Sequence, residues 1–506
     1  MRAANIGKRA VWTAAVTISL LLLVFSAADR LRTRSETPAE ANGRRMRTVV
    51  DFGAVGDGTA DDTRAIQRAI DAGIGEIRFP RGIYRVTRPI VIRLADVGPT
   101  SLVADGPARV VMAGPGPAFR FIGTHGGTAA PHTVKPNVWR NERTPMVTGL
   151  EIVGAHSEAC GIEARGTMQL TITRVTVREA LHAIHLVERN RNLIVSDCHL
   201  YHNRGVGVYY DHVNLHQSNI IGSHISYNAG GGVVIRGGEV RNVHIGTCDI
   251  EGNMGDSDSP PTANVLLDAT DGSIGEVAIV GCTIQHTVNG KNSANIRIDL
   301  KSLPRSITKE LRHGHVTIAD NVLSDVDVNV DIREARSVTI TGNTMWQGYE
   351  ANMRLDHCET VVVANNVFDR NPRYLYRKPI AENRLIFERC RGVTFAGNQV
   401  VGVHVDPAAM VVRDSDEFLI DGCRFRDCAP AALRLQEVRC TRVSDSLFLE
   451  PETAPRPFRP VVVRGGRAVD LIDNMWRGTP DVAESVAHLQ GNRVLEDEKP
   501  TNGVEP

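Results

Sequence analysis

The stretch DFGAVGDGTADDTRAIQRAID, Asp51 to Asp71, decides how the chain is read. It opens on glycine and aspartate and then turns helical. Asp61 and Asp62 stand where a helix needs caps, Ile66, Ala69 and Ile70 recur at helical spacing, and Gly73 stops the run. A calcium loop would place ligands at alternate positions and close on a glutamate. Asp57, Asp61 and Asp62 are not spaced that way. The stretch therefore predicts a short capping helix. Such a helix suits the open end of a solenoid, which otherwise exposes core and an unpaired strand edge.

The rest of the chain supplies the solenoid. Similar units recur, among them VHIGTCDIEGN (243–253), VTITGNTMWQG (338–348), VVVANNVFDRN (361–371) and FLIDGCRFRDC (418–428). Each reads as a short alternating strand, a polar kink and a second strand. A third strand follows, as in GVGVYYD (205–211), GGVVIR (231–236) and NIRIDL (295–300). Aligning the units produces one column at the kink: Leu150, Val175, Cys198, Ser223, Cys248, Cys282, Asn321, Asn343, Asn366, Asn398, Cys423, Ser446 and Asn474. Three strands per turn with inward Val, Ile and Leu predict an all-β, parallel β-helix of about 12 coils. A leucine-rich repeat would need a denser leucine consensus and a helix per turn. The column also accounts for four of the nine cysteines, Cys198, Cys248, Cys282 and Cys423, as thiols filling small corners rather than disulfides.

Composition narrows the function classes. The 506 residues carry 58 Lys+Arg against 58 Asp+Glu, so no net charge argues for nucleic acid or an anionic membrane. Residues 1–28 combine a basic start, an apolar run from Ala10 to Phe25 and small residues before a cut after Ala28. They predict a secretory signal peptide, or an uncleaved anchor, and hence an exported, extracellular, periplasmic or envelope-associated chain. Residues 29–47 read as a linker, 48–95 as the cap and first strands, 96–480 as the β-helix, and 481–506 as a polar tail.

The opening stretch, followed by IRFPRGIYRV (77–86), closely resembles the start of the pectate-lyase superfamily domain shared by rhamnogalacturonase/epimerase-like proteins and phage tailspikes. The resemblance implies a right-handed β-helix that acts on or binds an extracellular polysaccharide along an outer groove. It also implies that the opening stretch builds the cap and not the catalytic centre. The match departs from polygalacturonases: NRGVG (203–207) and NAGGG (228–232) place glycines where their acids stand, and GHV (314–316) is not GHG. YYDH (209–212) only weakly echoes the element of an alginate epimerase.

Outward polar columns are densest between about residues 195 and 300, where the coils also carry the longest insertions, at 249–264 and 283–295. Asp249 and Glu251 share one strand face about 6.5–7 Å apart, a spacing compatible with an inverting glycosidase. A lyase instead needs a base for the C5 proton and a cation for the uronate carboxylate. Arg236 and Arg297 are candidates for that chemistry. His199, Tyr201, Tyr209, His212, His224 and Lys291 are candidates for binding sugar, and Asp211, Asp268 and Asp299 form a candidate calcium set. The expectation is a polysaccharide lyase or glycosidase, with a non-catalytic polysaccharide-binding or adhesin-like protein as the alternative. Ordinary salt-bridged surface columns would produce much the same pattern of charge.

Overall fold

The computed structural model describes residues 47–495 except 129, 256–262, 287–289, 305, 307, 372, 374–380, 450–457 and 484. The expected leader (1–28), all of the linker but Arg47, and the insertion at 256–262 lie outside the described residues.

Successive coils pair in parallel, and the register is continuous. One inward column runs Ile184, Val208, Val233, Val265, Ile296, Val330 and Met353. All seven belong to one extended core. Single residues with positive φ turn the chain at its corners, for example Asp197, His202, His212 and Gln217 within one coil. These corners favour Asn, Asp and His, whose short polar side chains tolerate the left-handed region. Around the coils of interest they leave three outer faces. The first holds the short strands His199–Tyr201, His224–Ser226, Asp249–Glu251 and Thr283–Gln285. The second holds the openings of the long strands Ile184–Ser196, Val206–Ile221, Gly231–Gly246 and Ala263–Val280. The third holds their middles, beyond Glu188, His212 and Gly237.

The expected kink column is a hydrogen-bonded ladder. The side-chain amides of Asn321, Asn343 and Asn366 each donate to the next asparagine, at 3.0, 2.9 and 3.0 Å, ending on Asn398. Cys282 joins by donating its backbone N–H to Asn321 Oδ1 at 2.9 Å. All nine cysteines are free thiols and eight are buried, so the corner-filling role stands. A second ladder separates the first and second faces. It runs Asn203, Asn228, Asn253, Asn264, Asn295, Asn329 and Asn352. Coiling continues past residue 480, where the tail was expected: Ala487–Gln490 and Arg493–Val494 pair with the preceding coil.

The opening stretch forms a strand, Asp57–Asp61, and a helix, Thr63–Asp71. The helix buries Ala65, Ile66, Ala69 and Ile70 against the end of the core. The aspartates work locally, and differently from simple caps. Asp61 accepts the Thr63 N–H at 3.1 Å. Asp62 reaches back to the N–H groups of Val55 and Gly56, at 2.6 and 3.1 Å. Asp57 accepts from Thr59 and Ala60. Their carboxylates tie the loop to the helix, which leaves the stretch structural.

Residues 123–128 and 130–142 fold over the third face and bury His125, which is 2% exposed with neither ring nitrogen hydrogen-bonded. Burial first, and then the charges of Arg189 and Arg191, push the His125 imidazole from 6.5 down to about 4. The unfolded chain therefore takes up a proton at mildly acid pH that the native state refuses. Stability tied to His125 is intact above about pH 6.5 and is lost as pH falls toward 4. His125→Leu is expected to shrink the loss of stability between pH 7 and pH 4 by about 1–3 kcal/mol, read from denaturant unfolding at each pH.

Candidate functional site

On the second face, the pleat points alternate residues of each strand outward. Register then stacks His185, Tyr209, Val234 and Leu266 in one column and Val187, Asp211, Arg236 and Asp268 in the next. Chain distance is thereby converted into a cluster. His185 Nε2 lies 3.0 Å from Asp211 Oδ2. The imidazole of His185 stacks on Tyr209, with ring centres 5.5 Å apart and planes within 7°. His182 closes the group, 5.1 Å from the Tyr209 ring. Its Nδ1 accepts the Val206 N–H at 3.1 Å. On the next coil Arg236 faces Asp268 at 3.5 Å.

Electrostatics assign protonation states. Burial, reinforced by the Asp211 charge, raises the Tyr209 phenol, although the neighbouring Arg236 guanidinium opposes the shift. Tyr209 thus holds its proton at neutral pH. Burial would raise the Asp211 carboxyl, but hydrogen bonds from His212 and His185 outweigh it and keep the group ionised. Burial pushes the His182 imidazole down to about 4, so it stays neutral. Val206, Val234, Ala263, Leu266 and Ala294 form a small apolar cluster apart from the main core, and Tyr209 packs against it. That apolar shoulder beside a charged group is what a sugar-binding surface uses for orientation.

The expected site residues divide between two faces. His199, Tyr201, His224, Asp249 and Glu251 lie on the first face, whereas Tyr209, Asp211, Arg236, Asp268, Arg297 and Asp299 lie on the second. His212 sits at the corner beyond, with its Nδ1 2.9 Å from Asp211 Oδ1. Lys291 lies in an exposed turn before the strand Ala294–Asp299. On the first face Asp249 faces His224 at 3.6 Å and accepts the Thr283 hydroxyl at 2.8 Å. Glu251 accepts the Tyr227 hydroxyl at 2.9 Å and faces His286 at 3.3 Å.

Two expectations need correction. Arg297 is not poised for catalysis: it is largely buried, 3.3 Å from the fully buried Asp331, and donates to the Asn292 carbonyl at 2.8 Å. Nor do Asp211, Asp268 and Asp299 form a calcium shell. Arg236 stands between Asp211 and Asp268 on the intervening coil, and Asp211 is taken by two histidines. Among the described residues no group of three or more His, Cys, Asp or Glu side chains is arranged to hold a metal ion. The residues present do not fit the cation. His182 and His185 were missed in the sequence. The alignment of HAIHLVE (182–188) with VGVYYDH (206–212) is the signal that would have found them.

Comparison with known proteins agrees with this architecture. Residues 46–110 match the family described as rhamnogalacturonase A/epimerase, pectate lyase-like, and residues 138–290 match the right-handed β-helix region. Both matches, with the fold described above, are those of a pectate-lyase-like right-handed β-helix. A 43-residue stretch is 58% identical to mannuronan C5-epimerase AlgE5 of Azotobacter vinelandii; it covers 8% of this chain and 4% of that protein. The match thus spans a small fraction of its relative's length. Among solved structures, the AlgE6 A-module of Azotobacter vinelandii is similar at 16% identity and a TM-score of 0.35, over 90% of this chain and 100% of that one. The tailspike of E. coli bacteriophage HK620, solved with a pentasaccharide, is similar at 12% identity and a TM-score of 0.48, over 84% and 80%.

Proposed function

We propose that this protein is an exported enzyme that modifies an acidic polysaccharide by removing the C5 proton of a uronate residue. The observation that carries the reading is the placement of Arg236 beside a protonated Tyr209 and the His185–Asp211 pair. Arg236 meets the uronate carboxylate and favours charge developing toward it. With its Nε2 proton held by Asp211, His185 has its Nδ1 lone pair free to take the C5 proton. In elimination the C5–H electron pair becomes the C4–C5 double bond, the C4–O4 bond breaks, and Tyr209 protonates the departing oxygen. In epimerisation Tyr209 instead returns a proton to C5 from the opposite side. Both outcomes use the same four groups. The similarity to a mannuronan C5-epimerase, though short, is in keeping with this chemistry.

A panel of polyuronic and neutral polysaccharides tests the proposal. Three quantities are followed: the ultraviolet absorbance of unsaturated products, reducing ends, and C5 configuration by NMR. Unsaturation or inversion at C5, confined to polyuronates, is the expected result. Reducing ends without unsaturation would mean hydrolysis and move the chemistry to Asp249 and Glu251. Binding without turnover across the panel would make the protein a polysaccharide-binding β-helix. Mass spectrometry of the mature N-terminus checks export, with cleavage after Ala28 expected.

A further inference from the structure

The third face holds a cleft of about 670 Å³ lined by Thr128, Arg189, Asn214, His216, Glu239 and Leu303, among others. The chemistry around it is lopsided. Arg189 donates through Nη1 to Asn214 Oδ1, while its Nε and Nη2 are buried with no hydrogen-bond partner. Arg191 is 6% exposed and reaches only neutral oxygens: Asn192 Oδ1 at 3.0 Å and the Thr128 carbonyl at 3.4 Å. Among the described residues, neither arginine has a carboxylate within 4.0 Å. Two coils on, Arg241 does have one, with Glu239 at 3.5 Å. His216 lies in register between Arg191 and Arg241. The remaining acids nearby are engaged elsewhere: Glu142 accepts from Thr124 and Asn137, and Glu276 accepts from Asn242.

A desolvated guanidinium without a counter-charge is costly. Two of them, alternate on one strand, stand roughly 7 Å apart and repel. Burial, and then Arg191, lower the Arg189 guanidinium, which is the signature of a cation lacking its anion. The geometry of the unused edge is informative. Nε and Nη2 share one side of the guanidinium, the side that grips two oxygens of a carboxylate, sulfate or phosphate at once.

We propose that this cleft is an oxyanion-binding site in which the Nε/Nη2 edge of Arg189 and the head of Arg191 hold a carboxylate, sulfate or phosphate group. Both nitrogens are buried where they stand, so uptake of the anion requires Arg189 to turn toward the cleft. The site lies on a different face from the Tyr209 cluster and stands whether or not that cluster is catalytic.

The full chain is melted at constant ionic strength while chloride is exchanged for sulfate, phosphate, glucuronate or an oligouronate. Expected is a saturable rise in Tm with at least one oxyanion. The anion with the lowest midpoint identifies the source of the group, a uronate or an inorganic anion. Arg191→Gln should weaken the midpoint at least roughly tenfold, and Arg189→Gln should abolish the saturable rise. Arg189→Gln should also melt no lower than wild type in chloride, since it removes an uncompensated cation. Arg204→Gln should keep the full response. A rise that is linear in every anion, a response surviving both Arg189→Gln and Arg191→Gln, or no rise at all would overturn the site.

Discussion

Tyr209→Phe is expected to lower kcat on a polyuronate by about 10²–10⁴-fold while leaving KM within a few-fold of wild type. The ring remains, so its stacking on His185 and its packing against the small apolar cluster survive. Only the hydroxyl is lost, and with it the proton that burial and Asp211 hold on the oxygen at neutral pH. A loss confined to kcat is what removal of a proton donor produces, because that proton is transferred only in the transition state. Steady-state kinetics, with calorimetric binding of the same oligosaccharide, separate the two quantities. Turnover within threefold of wild type would remove Tyr209 from the chemistry and sink the elimination reading. Asp211→Asn makes a complementary case. It keeps the shape but loses the charge that fixes the His185 tautomer, so kcat should fall while Tm stays nearly constant.

The fold was legible because a solenoid repeats its signals. Each coil restates the inward aliphatic column and the corner residue, so an error in one unit is corrected by the next. The capping helix was legible from Ile66, Ala69 and Ile70 with Gly73 as its stop, although Asp62 bonds the loop behind it rather than the helix ahead. The second asparagine ladder was not visible. Asn253 and its neighbour Asn264 are only eleven residues apart, whereas Asn228 and Asn253 are 25 apart, because insertions fall on different sides of the ladder in different coils. The ladder marks the corner between the first and second faces, across which the chain bends between Asp249 and Glu251 on one side and Arg236 on the other. Column position also says nothing of burial. Arg297 shares a column with Tyr209, yet it is covered and paired with Asp331. The site itself depends on His182 and His185, two histidines whose meaning comes from the coil that follows them.

Replacing Asn343 with leucine should be among the most damaging single changes in the molecule. Its Oδ1 accepts from both the backbone N–H and the side-chain amide of Asn321, each at 3.0 Å. Its amide donates to the Ile318 carbonyl and to Asn366 Oδ1, both at 2.9 Å. None of these atoms can turn to water, since Asn321, Asn343 and Asn366 are at most 1% exposed. The substitution strands donors above and acceptors below, at about 1–3 kcal/mol for each group left bare, and it forces a bulkier side chain into a tight corner. A net loss of about 4 kcal/mol or more is expected, measured as a shift in denaturant midpoint and as faster amide exchange centred on the coils around 318–366. The ladder also predicts its own rescue. Cys282 and Ser446 occupy the same column and receive the neighbouring backbone N–H through Sγ and Oγ, at 3.5 and 3.1 Å. Asn343→Ser should therefore keep the link from Asn321 N–H and cost clearly less than Asn343→Leu. Equal losses for serine and leucine would mean that volume, not hydrogen bonding, holds the corner.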